Sequence, residues 1–232
     1  MSETNIGDQK KIEIEWNGPY HVDGEIPLVR KTQIVSEYGE PLAWQTGETL
    51  RSAGHYELCR CGHSKDKPFC DCSHLEVDFD GTETASTEPV AGRKVILPGG
   101  TKIIVKREYS LCAESGYCGL RNTNVDQMLS DTADTQVRLQ VMAMIEHCPS
   151  GSYTYAVEEG GPEIEPDLPR QIAVVTEITS DGPIDGPLWV TGGIQIKRSD
   201  GQLVEIRNRV TLCCCGKSNN KPFCDGTHRA GH

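Results

Sequence analysis

Cys59, Cys61, Cys70 and His74, and again Cys213, Cys215, Cys224 and His228, stand in one sixteen-residue pattern, C-x-C-x2-S-x3-P-x-C-D-x-[ST]-H, that occurs twice. Each copy offers three thiolates and one imidazole within a single loop, a donor set that suits iron or zinc. The one-residue gap between Cys59 and Cys61 points both sulfurs at the same ion. The step from Cys70 to His74 is one helical turn, which stacks the sulfur and the ring nitrogen on one face. Asp71, directly after Cys70, is placed to cap that turn. The sequence therefore predicts two metal sites. Four such ligands would also close a structural zinc site, although zinc loops more often use C-x2-C pairs, which neither copy has.

Both loops resemble the CDGSH iron-sulfur family, whose signature extends here to Ser64 and Ser218, Pro68 and Pro222, and Ser73 and Thr227. The resemblance implies a 2Fe-2S cluster in each loop, with two Cys on one iron and a Cys plus the His on the other. It also implies that the two modules pair as a β-rich intramolecular pseudo-dimer within a monomer. The Gly of the family signature is present as Gly226 but is Cys72 in the first copy, where a side chain would strain a turn that glycine tolerates best. Cys214 lies between two ligands, so alternation along the chain should turn it away from the site. It and Cys72 are read as packing or exposed thiols.

A further set of cysteines lies between the copies: Cys112 and Cys118 bracket Ala-Glu-Ser-Gly-Tyr, and Cys148-Pro149-Ser150-Gly151 follows at a distance. This order resembles a ferredoxin half-motif with Ser115 in place of the central cysteine. The resemblance implies a 3Fe-4S cluster on three cysteines, or a 4Fe-4S cluster with a fourth ligand from Ser115, Glu114, His147 or water. The other reading is a domain without a cluster, its thiols merely packed.

Positioning these ligands falls to short strands. Gly18 to Ile26 aligns with Gly186 to Ile194, each block reading as strands with glycine turns ahead of its loop. Ile194 and Ile196, a turn at Ser199-Asp200-Gly201, and then Leu203, Val204 and Ile206 predict a hairpin. The first copy carries an insertion at about Ser36 to His55 with no motif of its own. Strand-like Lys102 to Arg107, helical Val137 to Glu146 and strand-like Tyr153 to Val157 lie between segments of linker composition at 80–92 and 158–170. The expected architecture is α+β, with an N-terminal module 1–92, a ferredoxin-like α/β domain 93–163 and a C-terminal module 164–232.

Composition narrows the function. Hydrophobic residues at 36% and aromatic residues at 6% argue against one large core and for small lobes stapled by metal. A net charge of -11 without a Lys/Arg cluster excludes nucleic acid as the expected partner and is compatible with docking a basic redox protein, or simply with solubility. No apolar stretch approaches the roughly 18 to 20 residues of a membrane span. The polar start Met1 to Lys11 is unlike a signal peptide. The expected place is the cytoplasm, where cysteines stay reduced. His21, His55, His63, His147 and His232 lack a second ligand at metal spacing and default to surface or core roles. Val137, Leu139, Val141, Met142, Met144 and Ile145 read as the apolar side of a helix. No phosphate loop, Ser-His-Asp arrangement or catalytic carboxylate pair is present. The reading is a non-enzymatic electron carrier with a redox partner protein; the alternatives are storage of clusters or their delivery to an apo iron-sulfur acceptor, redox or pH sensing, and a zinc scaffold. A His ligand also has a second nitrogen that takes up protons, which predicts proton-coupled reduction.

Overall fold

The structure, a computed structural model, describes residues 10–52 and 54–230; His232 and the N-terminal stretch to residue 9 lie outside the described residues. The first half forms β1 (Lys11–Ile14), β2 (Tyr20–Asp23), β3 (Leu28–Val35), β4 (Pro41–Arg51) and β5 (Tyr56–Leu58), which runs directly into Cys59. The middle forms β6 (Val95–Ile96), β7 (Ile104–Arg107), β8 (Gly119–Leu120), β9 (Thr123–Asn124), helices α1 (Val125–Met128) and α2 (Thr135–His147), and β10 (Tyr153–Ala156). The second half forms β11 (Gln171–Thr179), β12 (Gly182–Thr191), β13 (Gln195–Lys197) and β14 (Arg209–Leu212), which runs into Cys213. The chain is β-rich with few helices, and no described helix is long and apolar enough to cross a membrane.

The two halves exchange a strand. One sheet has the order β13-β1-β2-β5 and the other β14-β12-β11-β3-β4. In each, an antiparallel hairpin carries on one side the strand that enters a cysteine loop and on the other a parallel strand from the opposite half. The blocks aligned in the sequence occupy the same register: Tyr20 lies opposite Leu58 and Leu188 opposite Leu212, while Ile12 faces Ile196 and Ile172 faces Leu28.

Strand alternation then decides the core. Ile12, Tyr20, Val22, Leu28 and Leu58 from one half and Ile172, Leu188, Val190, Ile196 and Leu212 from the other are buried in a single cluster. The expected absence of a large core is thus corrected for the two halves: exchanging strands pools two apolar faces that would be too small alone. The predicted hairpin forms around β13, with Leu203 bridging to Lys197.

The outer faces differ. Lys11, Glu13, His21, Asp23 and Glu57 line the outside of the first sheet, where none is buried. The second sheet presents Val29, Ala173, Val175 and Trp189, covered by Trp44 and Leu168. Trp44 belongs to β4, so the insertion with no motif extends this sheet and docks the middle region. Its ring lies 5.1 Å from that of Tyr117 and 5.4 Å from that of Trp189, and its Nε1 donates to the carbonyl of His147 at 3.2 Å.

The middle region has its own core, in which β10, β7 and β6 are packed by α1 and α2. The expected strands are β7 and β10. Helix α2 starts at Thr135 because the Asp134 carboxylate accepts from the N–H groups of Gln136 and Val137. Val141, Met144 and Ile145 are buried as expected, whereas Leu139 is 58% exposed and faces solvent. Segment 80–92 lies over the second loop: Ala85 N–H donates to Lys221 O at 2.9 Å, and the Glu83 carboxylate is buried between Arg60 and Arg198.

Candidate metal centres

The two cysteine loops have matching hydrogen bonds. Cys59 N–H donates to Pro68 O, and Cys213 N–H to Pro222 O, both at 2.9 Å. The Ser64 hydroxyl donates to Phe69 O at 2.6 Å and accepts from Asp66 N–H; Ser218 does the same with Phe223 O at 2.7 Å and Asn220 N–H. Asp71 accepts from Lys65 N–H at 2.8 Å and Ser73 N–H at 3.0 Å, and Asp225 from Asn219 N–H and Thr227 N–H at the same distances. The Lys65 N–H is the largest cause, and Ser73 the next, holding Asp71 well below the carboxylate range. The side-chain contacts explain why the pattern needs Ser and Asp at fixed positions.

The expected helical turn between Cys70 and His74 is replaced by a tighter one. Cys72 and Gly226 are left-handed, with φ of 68° and 88°, and each leads into a single 3-10 turn, Ser73–Leu75 and Thr227–Arg229. The sharp reversal still brings Cys70 Sγ to 3.4 Å from His74 Nδ1, and Cys224 Sγ to 3.3 Å from His228 Nδ1. Cys59 and Cys61 place their sulfurs 3.6 Å apart, and Cys213 and Cys215 3.8 Å apart.

These spacings test the choice of metal group. Around one tetrahedral ion with bonds of about 2.0–2.3 Å, all ligand atoms lie within about 3.3–3.8 Å of one another. Each pair meets that condition, but neither loop brings three such atoms within 4.8 Å of one another: among the described residues only His21, His55 and Glu57 form a group of three at that range. Each loop thus offers two half-sites, one S,S and one S,N, which fits a two-metal group better than a single zinc. Burial pushes the Cys70 thiol up to about 11, so a bound cation is needed to keep it a thiolate near neutrality. The Cys214 sulfur turns away from its neighbours and donates to Gly186 O at 3.2 Å, and Cys72 is exposed; neither joins a ligand pair.

The loops abut. A Cβ on Gly62 would lie 2.5 Å from Cys215 O, and one on Gly216 would lie 2.5 Å from Cys61 O, so the turns around the two S,S pairs press backbone to backbone. Only glycine fits there. Their surroundings then diverge. His228 Nε2 lies 3.0 Å from Glu177, whose carboxylate is fully buried and also pairs with Arg229. His74 is partly exposed.

Cys112, Cys118 and Cys148 line one small cavity together with Ser115, Ser150 and Tyr153. Burial, with Cys148 and Cys112 adding, pushes the Cys118 thiol up to about 11. Glu114 borders the cavity, while His147 is held elsewhere by Ala143 O at 2.7 Å and the Tyr117 ring. Arg209 on β14, its side chain fully buried, donates to the carbonyls of Ile145, Glu146 and Cys148, capping the end of α2 where Cys148 emerges. Gln33 Nε2 donates to Ser115 O at 2.8 Å, and the Glu114 side chain packs where a Cβ on Gly226 would be, 2.6 Å away. The middle cavity is therefore docked on the second cysteine loop.

Sequence reasoning missed Glu177, which lies on β11 and carries no motif, and the grouping of His21, His55 and Glu57. The family model described as iron-binding zinc finger CDGSH type matches residues 17–75 and 185–229, so two stretches of the chain, each holding one of the cysteine loops, are similar to that iron-binding module. No curated protein and no solved structure matches the chain.

Proposed function

We propose that this two-CDGSH iron-sulfur protein relays single electrons. In this reading Cys59, Cys61, Cys70 and His74 hold one 2Fe-2S cluster, Cys213, Cys215, Cys224 and His228 a second, and Cys112, Cys118 and Cys148 a 3Fe-4S or 4Fe-4S cluster. The observation that carries it is the split of each loop's ligands into an S,S pair at 3.6 or 3.8 Å and an S,N pair at 3.4 or 3.3 Å. Such clusters supply reversible one-electron chemistry when bound.

The protein's own groups set the terms of that exchange. A neutral imidazole in place of a thiolate reduces the negative charge at the site and favours the reduced state. The second loop touches both other sites, through Gly62 and Gly216 on one side and Glu114 on the other, which supports a series running from the middle cavity through the second loop to the first. The exchanged strands support an intramolecular pseudo-dimer in a monomeric chain. For the middle domain, β7 leads to Cys112, α2 to Cys148, and β10 returns antiparallel to β7, an order that supports the ferredoxin-like reading. The acidic balance of the chain suits a basic redox protein as partner, and the reading includes a cytoplasmic place and no catalytic activity of its own.

A second reading, delivery of clusters to an apo iron-sulfur acceptor, draws on the first loop, where Cys72 is exposed and Leu75 is 78% exposed. Anaerobic purification with iron and sulfide analysis tests the cofactors: about seven irons per chain fits two 2Fe-2S and one 3Fe-4S, about eight fits a 4Fe-4S, and about four leaves the middle cavity without one. Zinc without acid-labile sulfide defeats the proposal. Mixing with an apo-ferredoxin then separates the readings, since electron exchange without loss of iron supports a relay and rapid loss of iron to the acceptor supports delivery.

A further inference from the structure

We infer that the outer face of the first sheet carries a binding site for one divalent transition-metal ion of the zinc type, formed by His21, His55 and Glu57 and separate from the cysteine loops. Their ligand atoms all lie within 4.8 Å of one another. The topology explains the meeting: His21 on β2 is the cross-strand partner of Glu57 on β5, and His55, two residues before Glu57, falls on the same face by the period of a strand. Glu57 Oε1 lies 3.3 Å from His21 Nδ1 and 3.8 Å from His55 Nε2. Ligands bound at about 2.0–2.1 Å to one tetrahedral ion would be about 3.3–3.4 Å apart, so Glu57 and His21 already stand at ligand separation, Glu57 and His55 stand at 3.8 Å, and the two rings, within 4.8 Å, would close on the ion.

The protons of the two rings are placed for this role. His21 Nε2 lies 2.9 Å from a Glu15 carboxylate oxygen, and His55 Nδ1 lies 2.8 Å from one of Asp23. An ionised carboxylate only accepts, so it draws the N–H of each neutral ring to the side away from Glu57. With an ion bound, the lone pairs of His21 Nδ1 and His55 Nε2 would then face it beside Glu57 Oε1, the ion taking the place of the protons these nitrogens could otherwise share with Glu57. A carboxylate behind each imidazole is the arrangement that orients metal-bound histidines and raises their basicity. Two imidazoles and a carboxylate select zinc and its transition-metal neighbours over magnesium or calcium. His21 and Glu57 are half-buried and His55 is exposed, leaving room for water at the remaining position.

The site belongs to the first half alone. The residues in the same register of the second sheet, Trp189 and Thr211, are buried. Glu57 also accepts Cys70 N–H on its backbone carbonyl at 3.0 Å, so an ion here would brace the strand that anchors the first cysteine loop.

The test uses the intact, cluster-loaded protein, freed of loose metal, dialysed against Zn2+ in a non-coordinating buffer and analysed for zinc and iron, with calorimetry for affinity. One zinc per chain with iron content unchanged is expected. His55→Ala, at an exposed position, should weaken zinc binding at least tenfold. Asp23→Asn, which removes only the carboxylate behind His55, should weaken it by roughly 10- to 100-fold. Both variants should keep the visible absorption of the clusters. Zinc uptake only in step with iron loss, a dissociation constant no tighter than about 1 mM, or wild-type affinity in both variants overturns the site.

Discussion

The first and second cysteine loops share their backbone turns, their Ser and Asp hydrogen bonds and their ligand spacings, yet the S,N half of the second is more enclosed than that of the first, with Cys224 buried where Cys70 is partly exposed. Against the second loop, the long β11–β12 hairpin brings the buried Glu177 to His228 and Arg229, and Glu114 packs on Gly226. The corresponding β1–β2 hairpin of the first half is short, so His74 is partly exposed and Cys72 lies free at the surface. The sixteen-residue pattern thus builds the ligand pocket, whereas the neighbouring sheet and the middle domain set how tightly it is closed. In the proposed reading, two copies of one motif would therefore differ in how readily they lose a cluster while binding it through the same atoms.

The largest effect should come from removing a ligand. Cys61→Ser and Cys215→Ser each delete one sulfur of an S,S pair, and each should lower iron by about two atoms per chain, read by metal analysis. Because the second loop touches both other sites, Cys215→Ser should also cut electron passage between the middle cavity and the first loop, followed by stopped-flow absorption. Equal effects of the two substitutions on that passage would break the proposed order of sites.

Glu177→Ala probes the enclosure. It would leave the partly exposed Arg229 and the buried His228 ring without their carboxylate partner, and leaving such a buried hydrogen-bonding group unpaired costs about 1–3 kcal/mol. The melting temperature should fall, and the second loop should release its iron to a chelator as fast as the first or faster. Unchanged release from the second loop would mean that Glu177 does not distinguish the sites.

The grouping of Cys59 with Cys61 and of Cys70 with His74 was legible because the spacing is local: all four fall within one loop, and Asp71 acts within six residues of its own position, on Ser73 and Lys65. The repeat was legible too, since Gly18 to Ile26 and Gly186 to Ile194 hold equivalent registers. What escaped was set by pairing between distant segments. Nothing in Leu28–Val35 says that it will pair in parallel with Gln171–Thr179, because a parallel partner is chosen by the faces available in three dimensions. Glu177 reaches His228, and His21 reaches His55, only once those registers exist. A spacing of four from Cys70 to His74 reads as a helical turn, but a left-handed residue followed by a 3-10 turn closes the same distance.

The smallest effects test the position where one copy has the signature glycine and the other a cysteine. Gly226 at φ 88° cannot take a side chain without strain, and a Cβ there would meet the Glu114 side chain at 2.6 Å. Gly226→Cys should therefore destabilise the protein by about 2 kcal/mol, most of it the left-handed penalty for an L-residue and the rest the displacement of Glu114. Cys72 already bears that penalty at φ 68°, with its side chain exposed. Cys72→Gly should accordingly stabilise the first loop by about 1 kcal/mol, since relief of the strain exceeds the added freedom of glycine in the unfolded chain. Chemical denaturation reads both changes, and chelator-driven iron loss reads them loop by loop. If Cys72→Gly left the first loop no slower to lose iron, exposure of His74 rather than backbone strain would be the main source of the difference between the two loops.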